Sequence, residues 1–274
     1  MEMISLDGKI VVITGGSSGI GRATALALAR NGARALVLAA RREDALNQVA
    51  AEVRALGSEV LPIPTDVSRQ DQVQALIERA LDRFGQVDIL VANAGEYIRA
   101  PVDQLNIAVI ERSMAVNFYG SVYPALAVLP HMRARRSGTI VFVTSMNGKK
   151  GIPMDTPYAS AKFALSGFAE VLRQELRGQG IAVITIFPGR VDTPMIANLH
   201  VPWISAKIPP DAVARAIVHA IRRRQAEVIV PWHARLLHLV NVISPSLADQ
   251  ATRILHLEGW ESEKGSLLDE PHAG

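Results

Sequence analysis

Short, nearly unbroken apolar runs alternate with longer amphipathic segments along most of the chain. No other property of the sequence restricts the fold as strongly. The runs lie at 9–13, 35–39, 59–63, 88–92, 139–144, 182–187 and 227–230. Strands covered on both faces read this way, because neither face meets water. Helical patterns fill the intervals at 20–30, 43–56, 71–83, 107–135, 157–177 and 211–224. Strands separated by helices of this length imply βαβ units with right-handed crossovers. The expected fold is α/β, doubly wound: a seven-stranded parallel sheet with helices on both faces. Such sheets take ligands in the crevice outside the carboxyl ends of their strands.

Composition bounds the function. With 274 residues, 49% hydrophobic and 20% charged, the chain can bury a substantial core. It has no cysteine, which removes disulfides, thiolate nucleophiles and Cys-ligated zinc. Seven histidines show no ligand spacing, so no catalytic metal is expected. Lys+Arg 29 against Asp+Glu 26 leaves +3, too weak an imbalance to predict a nucleic-acid partner. The N-terminus carries Glu2 and Asp7, and its apolar run is too short for a signal-peptide core, so a soluble, cytoplasmic protein is expected. No linker divides the chain. One catalytic domain is expected over 1–257, with 232–257 as a helical extension and 258–274 as a polar, frayed tail. The stretch after Thr193 lacks periodicity and reads as a loop or lid.

The segment TGGSSGIG at 14–21 follows the first strand and opens the first helix. Gly15, Gly19 and Gly21 allow a sharp turn and close approach of a ligand. Unpaired N–H groups at the helix start attract an anion, and the Ser17 and Ser18 hydroxyls add donors. Gly15, Ser17, Ser18, Gly19, Ile20 and Gly21 are thus a candidate phosphate cradle. Further on, Tyr158 and Lys162 lie four residues apart on one helix face, 13 residues after Ser145 at the end of the fifth strand. A neighbouring ammonium favours a phenolate and lowers a tyrosine pKa. Asn117 stands within an apolar helical run, where an amide needs a polar partner.

The G-x3-G-x-G spacing, with Ser145 and Tyr158-Ala-Ser-Ala-Lys162, resembles the short-chain dehydrogenase/reductase family over roughly residues 5–232. The resemblance implies a Rossmann-type fold and a dinucleotide cofactor. It implies that Tyr158 exchanges a proton with the substrate oxygen and that Ser145 hydrogen-bonds that oxygen. Lys162 would lower the Tyr158 pKa and bind the nicotinamide ribose, and Asn117 would hold a relay water. Asp66 and Val67 would contact adenine; a turn or N-cap role fits Asp66 equally well. Asn93 and Gly95 match the family's Asn-Ala-Gly motif, although Ala92 stands where an Asn is often found. Pro188, Gly189, Val191 and Thr193 match the segment that holds the nicotinamide carboxamide. A homodimer or homotetramer through helices 107–135 and 157–177 is also implied.

At the end of the second strand Ala40 stands where an acid would accept from a ribose 2′-hydroxyl, and Arg41 and Arg42 follow. A guanidinium suits a 2′-phosphate, so NADP(H) is the expected cofactor, with Arg22 a weaker contributor. Met146, Asn147, Ile152, Met154, Met195 and Trp203 would line an apolar pocket. Leu236, Leu237, Val240 and Ile243 follow helical spacing until Pro245. That face would pack on its own domain or a second subunit, lie on a membrane surface, or cap a pocket. The expected activity is interconversion of a ketone and a secondary alcohol on an apolar or lipid-like small molecule. A 3-oxoacyl-carrier-protein reductase and a non-catalytic nucleotide sensor are the alternatives. The complete set of Asn117, Ser145, Tyr158 and Lys162 argues against the sensor. The arginines at 133, 135, 136 and 222–224 would end helices or dock an acidic carrier.

Overall fold

The computed structural model describes residues 4–261. Strands β1 (Ile10–Thr14), β2 (Ala35–Ala40), β3 (Glu59–Pro64) and β4 (Ile89–Ala92) alternate with helices α1 (Gly19–Arg30), α2 (Glu43–Ala55) and α3 (Gln70–Phe84). Helices α4 (Ile107–Met114) and α5 (Gly120–Arg135) follow, then β5 (Gly138–Val143), α6 (Thr156–Glu175) and β6 (Ile181–Pro188). The short β7 (Leu199–His200) precedes α7 (Pro210–Arg223) and β8 (Glu227–Val230). The described chain closes with α8 (Arg235–Ile243), α9 (Pro245–Ile254) and β9 (Trp260–Glu261).

Seven strands form one sheet in the order β3-β2-β1-β4-β5-β6-β8, and every pairing in it is parallel. Successive side chains of a strand face opposite ways. Val11 and Ile13 accordingly pack with Leu28, Val49 and Ile217 of α1, α2 and α7. Val12 joins Leu90, Phe142, Ile77, Ala125 and Leu165 on the α3, α5 and α6 side. Both faces of the inner strands are buried, which is why those strands read as nearly unbroken apolar runs, whereas the edge strands β3 and β8 are half-buried. The strand order reverses between β1 and β4, and the crevice at their carboxyl ends is the topological switch point.

Two departures from the sequence reading matter. The expected continuous helix over 107–135 is interrupted by a π-helical turn, Ala115–Tyr119. Such turns leave the apolar content unchanged and often mark functional positions. Of the four apolar positions expected on one face of α8, Leu237 and Val240 are half-buried. No residue of α8 is buried, and Leu236 and Ile243 are exposed at 67% and 82%. In α9, Ala248 and Thr252 are buried, and Asp249 pairs with Lys150. The fraying expected over 258–274 is not seen at 260–261. Trp260 and Glu261 pair antiparallel with β7, and the remaining tail positions, 262–274, lie outside the described residues. Among the described residues no helix is long and apolar enough to cross a membrane.

Candidate active site

The glycine turn is closed by its neighbours. Gly15 (φ +67) and Gly19 (φ +51) occupy the left-handed region. A Cβ on Gly21 would lie 2.0 Å from the Gly15 carbonyl, and one on Gly15 would meet Ala94 Cα and Asn93 Nδ2 at 2.9 Å. The first turn of α1 carries no acidic residue, and Ser18 caps it without a side-chain bond. Its leading N–H groups are therefore directed at the crevice. Ser17 and Ile20 are half-buried beside them. Asn93 locks the turn to β4: its backbone N–H donates to Thr14 Oγ1 at 3.0 Å and its amide to the Thr14 carbonyl at 3.1 Å. This backbone-lined cradle, tight wherever a Cβ would intrude, fits the pyrophosphate of a dinucleotide.

Arg41 and Arg42 are exposed after β2, and Arg42 stands at the N-cap of α2. Arg22 is engaged elsewhere, in a two-pronged ion pair with Glu52 at 3.0 and 2.5 Å. Asp66 Oδ1 accepts from the backbone N–H and hydroxyl of Ser68 at 2.9 and 2.7 Å. Against burial, which raises it, the Asp66 carboxyl is held below its ordinary range by the Ser68 bonds and by Arg41 and Arg69. Val67 is buried against Gly120, whose added Cβ would lie 2.7 Å from it.

Asn117 sits in the π-helical turn with no exposure. Its carboxamide clamps the backbone of Glu96, accepting from its N–H at 3.0 Å and donating to its carbonyl at 2.9 Å. A further bond goes to Ser113 Oγ at 3.2 Å. The clamp fixes the loop after β4, where a Cβ on Gly95 would lie 2.9 Å from Asn117 Oδ1 and 3.6 Å from Lys162 Nζ. Ala94 thus touches the cradle while Gly95 adjoins the lysine, so the two halves of the site are neighbours.

Lys162 is 2% exposed and donates to the Val143 carbonyl at 3.2 Å. Its ammonium lies 5.5 Å from the centre of the Tyr158 ring. Burial lowers the Lys162 pKa to about 8. The Ser145 hydroxyl stands near enough to the Tyr158 phenol to lower its pKa, and it accepts from the Asn147 N–H at 3.1 Å. Burial opposes the expected lowering of the Tyr158 pKa. Burial pushes Tyr158 above its ordinary range, Ser145 works against that, and Asp155 adds to it.

Pro188 ends β6, and the Gly189 N–H donates to the Val230 carbonyl at 2.6 Å. Val191 is buried and bridges Ile208. The Thr193 hydroxyl donates to the Val191 carbonyl at 3.3 Å, and a Cβ on Gly19 would lie 2.9 Å from the Thr193 methyl. The β6 segment therefore reaches the cradle from the opposite side. Of the expected pocket residues, Asn147 is buried, Met146 and Ile152 are half-buried, and Met154, Met195 and Trp203 are exposed. Sequence reasoning missed Tyr97, Arg99, Asp155 and Arg190, which gather beside Tyr158. The one available signal was charge inside otherwise apolar or loop segments.

A nucleotide cradle at the switch point, beside a Ser, Tyr and Lys cluster on the same sheet edge, has the layout of a dinucleotide-dependent oxidoreductase. The short chain dehydrogenase family model matches residues 9–201, and the chain belongs to the short-chain dehydrogenase/reductase family. The ketoacyl reductase HetN of Nostoc sp. is 34% identical over 260 residues, covering 92% of this chain and 90% of that protein. The 3-ketodihydrosphingosine reductase of Bos taurus is 40% identical over 200 residues, 71% of this chain and 60% of that protein. A short-chain dehydrogenase/reductase from Burkholderia phymatum in complex with NAD superposes with a TM-score of 0.82 at 28% identity, covering 89% of this chain and 96% of that one.

Proposed function

We propose that the chain is an NADP(H)-dependent reductase that interconverts a ketone and a secondary alcohol on an apolar, lipid-like molecule. The observation that carries this reading is the Ser145–Tyr158 hydroxyl pair, set beside the buried Lys162 and adjoining the glycine cradle. The two hydroxyls converge where one carbonyl oxygen can accept from both. Tyr158 gives its proton to that oxygen during reduction and takes one from the hydroxyl during oxidation. Ser145 stabilises the negative charge that develops there. Lys162, still a cation at neutral pH with a pKa of about 8, favours the phenolate left behind. Asn117 fixes the loop beside the lysine. A nicotinamide dinucleotide bound along this edge supplies or accepts the hydride.

Gly15, Ser17, Ser18, Gly19, Ile20 and Gly21 would hold the pyrophosphate, and Thr193 and the 188–191 backbone the carboxamide. Asp66, Val67, Asn93 and Gly95 would line the adenosine and ribose side. Arg41 and Arg42, exposed and with no acid at Ala40, would grip a 2′-phosphate.

Two observations favour an apolar substrate over a carrier-bound one. Met195, Trp203 and Ile204 are exposed in the segment after β6. Several cations near this edge are spent internally: Lys149 on Glu227 at 2.9 Å, Lys150 on Asp249, and Lys207 on the Ile196 carbonyl at 2.6 Å. Arg133, Arg135, Arg136 and Arg222–Arg224 lead into β5 and β8 and so lie at the opposite, amino edge. A carrier-bound 3-oxoacyl substrate remains the second reading, because HetN is named a ketoacyl reductase. Exposed Tyr119, Leu126, Phe163 and Val171 on and around α5 and α6 suit a homodimer or homotetramer. The test is a substrate panel followed by NADPH absorbance, with aliphatic and aromatic ketones, steroids, 3-ketosphinganine and a 3-oxoacyl thioester. Oxidation of NADPH with the apolar ketones is expected. Activity confined to the thioester selects the second reading, and no turnover with any member defeats both.

A further inference from the structure

Beside Tyr158 lies a buried polar cluster that the proposed reaction does not use. Its centre is Asp155, 1% exposed, immediately before α6. A carboxylate at this N-cap position ordinarily accepts from the first N–H groups of its helix, but Asp155 makes no such bond. Its Oδ1 accepts from the Tyr97 hydroxyl at 2.7 Å and from Arg99 Nε at 3.1 Å, and its Oδ2 from Asn147 Nδ2 at 2.7 Å.

Each donor leads to a different part of the site. The Tyr97 ring stands edge-on against Tyr158, with centroids 5.0 Å apart at 88°. Asn147 donates its backbone N–H to Ser145 Oγ. Arg99 spends its remaining nitrogens on the Glu258 carbonyl at 2.8 Å and Glu261 Oε1 at 3.1 Å. Arg190 closes the group with Ser205 Oγ at 2.7 Å and the Leu257 carbonyl. The preceding Met154 is held at φ +71, a conformation rare for its residue type. Its carbonyl accepts from the Ala100 N–H at 2.9 Å. Backbone strain of this kind persists where surrounding contacts over-determine it.

We propose that Asp155 is a positioning residue for carbonyl reduction. Through Asn147 it fixes the Ser145 hydroxyl, and through Tyr97 it fixes the Tyr158 ring. Through Arg99 it makes residues 258–261 part of the same assembly. This rests on the reading that Ser145 and Tyr158 act together on the substrate oxygen. The charged groups around Tyr158 are Lys162 on its own helix, Asp155 at that helix's start, Arg99 from the loop after β4 and Arg190 from the loop after β6. Burial holds the Asp155 carboxyl above its ordinary range, against the Tyr97, Arg99 and Asn147 contacts. In its ionised form it is the anion of the group, so Asp155→Asn makes the phenol easier to ionise.

The experiment compares the parent with Asp155→Asn and Tyr97→Phe in kcat, KM, NADPH affinity by fluorescence, and the pH profile of reduction. Displacement of reacting groups by about 1 Å costs on the order of 10²-fold. Asp155→Asn should lower kcat by about 10- to 100-fold while NADPH affinity stays within about twofold. Its alkaline limb should move down by about one pH unit, because the like charge is gone. Tyr97→Phe keeps the ring and loses only the hydrogen bond. It should lower kcat by about threefold or more with the limb unmoved, and it decides the matter if Asp155→Asn does not fold. Folded variants with parental kcat and an unmoved limb overturn the proposal alone. A parent that reduces no ketone overturns the functional reading and the proposal with it.

Discussion

The two edges of the sheet each carry a buried aspartate paired with an arginine, and the two pairs are wired differently. At the amino edge Asp88 accepts from the Ile10 N–H at 2.9 Å, from Gln86 at 3.0 Å and from Arg135 at 2.9 Å. Those partners belong to the starts of strands and the end of α5, so the pair ties elements together. At the carboxyl edge Asp155 is held by residues 97, 99 and 147, of which Tyr97 adjoins Tyr158 and Asn147 adjoins Ser145. The same two residue types thus serve the fold at one edge and geometry at the other. What separates them is whether their partners end in backbone or in a hydroxyl set to meet substrate.

The contrast is sharpest at Tyr158. Tyr158→Phe removes the proton donor and leaves the packing, so kcat should fall by about 10³-fold or more with the denaturation midpoint unchanged; the proton-transfer role is lost if kcat is retained. At the other edge Asp88→Ala strands Arg135 and two N–H donors. Stability should drop by about 3 kcal/mol in urea unfolding, while kcat of the folded fraction stays at the parental value. A catalytic loss as large as that of Asp155→Asn would erase the distinction between the edges.

Lys162 gives a pH-dependent version of the same test. Its folded pKa of about 8 lies below the ordinary lysine value of 10.5. Between these values the unfolded chain binds the extra proton, so stability should rise with pH across that window. Below about 8 the full cost of burying the cation is present, about 3 kcal/mol. Lys162→Met should therefore be more stable than the parent at neutral pH, lack that component of the rise, and lose activity. A denaturation series from neutral to alkaline pH reads both, and parallel curves for parent and variant would contradict the shift. The smallest effect is expected outside the catalytic cluster. Arg41→Ala should weaken NADPH binding by about tenfold, one charge-assisted hydrogen bond, and NADH binding hardly at all. Equal losses for both cofactors would remove Arg41 from the 2′-phosphate site.

The sheet was legible because strands buried on both faces can tolerate almost no polar residue. Ile10–Thr14 and Gly138–Val143 announce themselves without reference to neighbours. The glycine turn was equally plain, since Gly21 leaves no room for a Cβ against the Gly15 carbonyl. The surroundings of Tyr158 were not. Tyr97 and Asp155 are 58 residues apart, and Arg99 and Glu261 are 162 apart, so no local spacing relates them. The lysine's expected influence on the phenol was also read without its counterweight. Spacing shows which groups meet, whereas burial, which raises Tyr158 and lowers Lys162, depends on everything packed around them. The sequence leaves open what α8 packs on for a related reason. Spacing marks its apolar residues, but tertiary contact decides that Leu237 and Val240 are half-buried while Leu236 and Ile243 are exposed.

The widened turn at Ala115–Tyr119 makes the length of this helical stretch a matter of phase. One surplus residue is absorbed there, and each residue of a regular helix advances the face by about 100°. A chain shortened by a single residue within 115–119 would wind evenly through the region and leave Val122, Ala125, Val128 and Met132 facing the core as they do now. What it would disturb is the hold of Asn117 on the Glu96 backbone. The surplus residue therefore serves the loop after β4 and not the packing of α5.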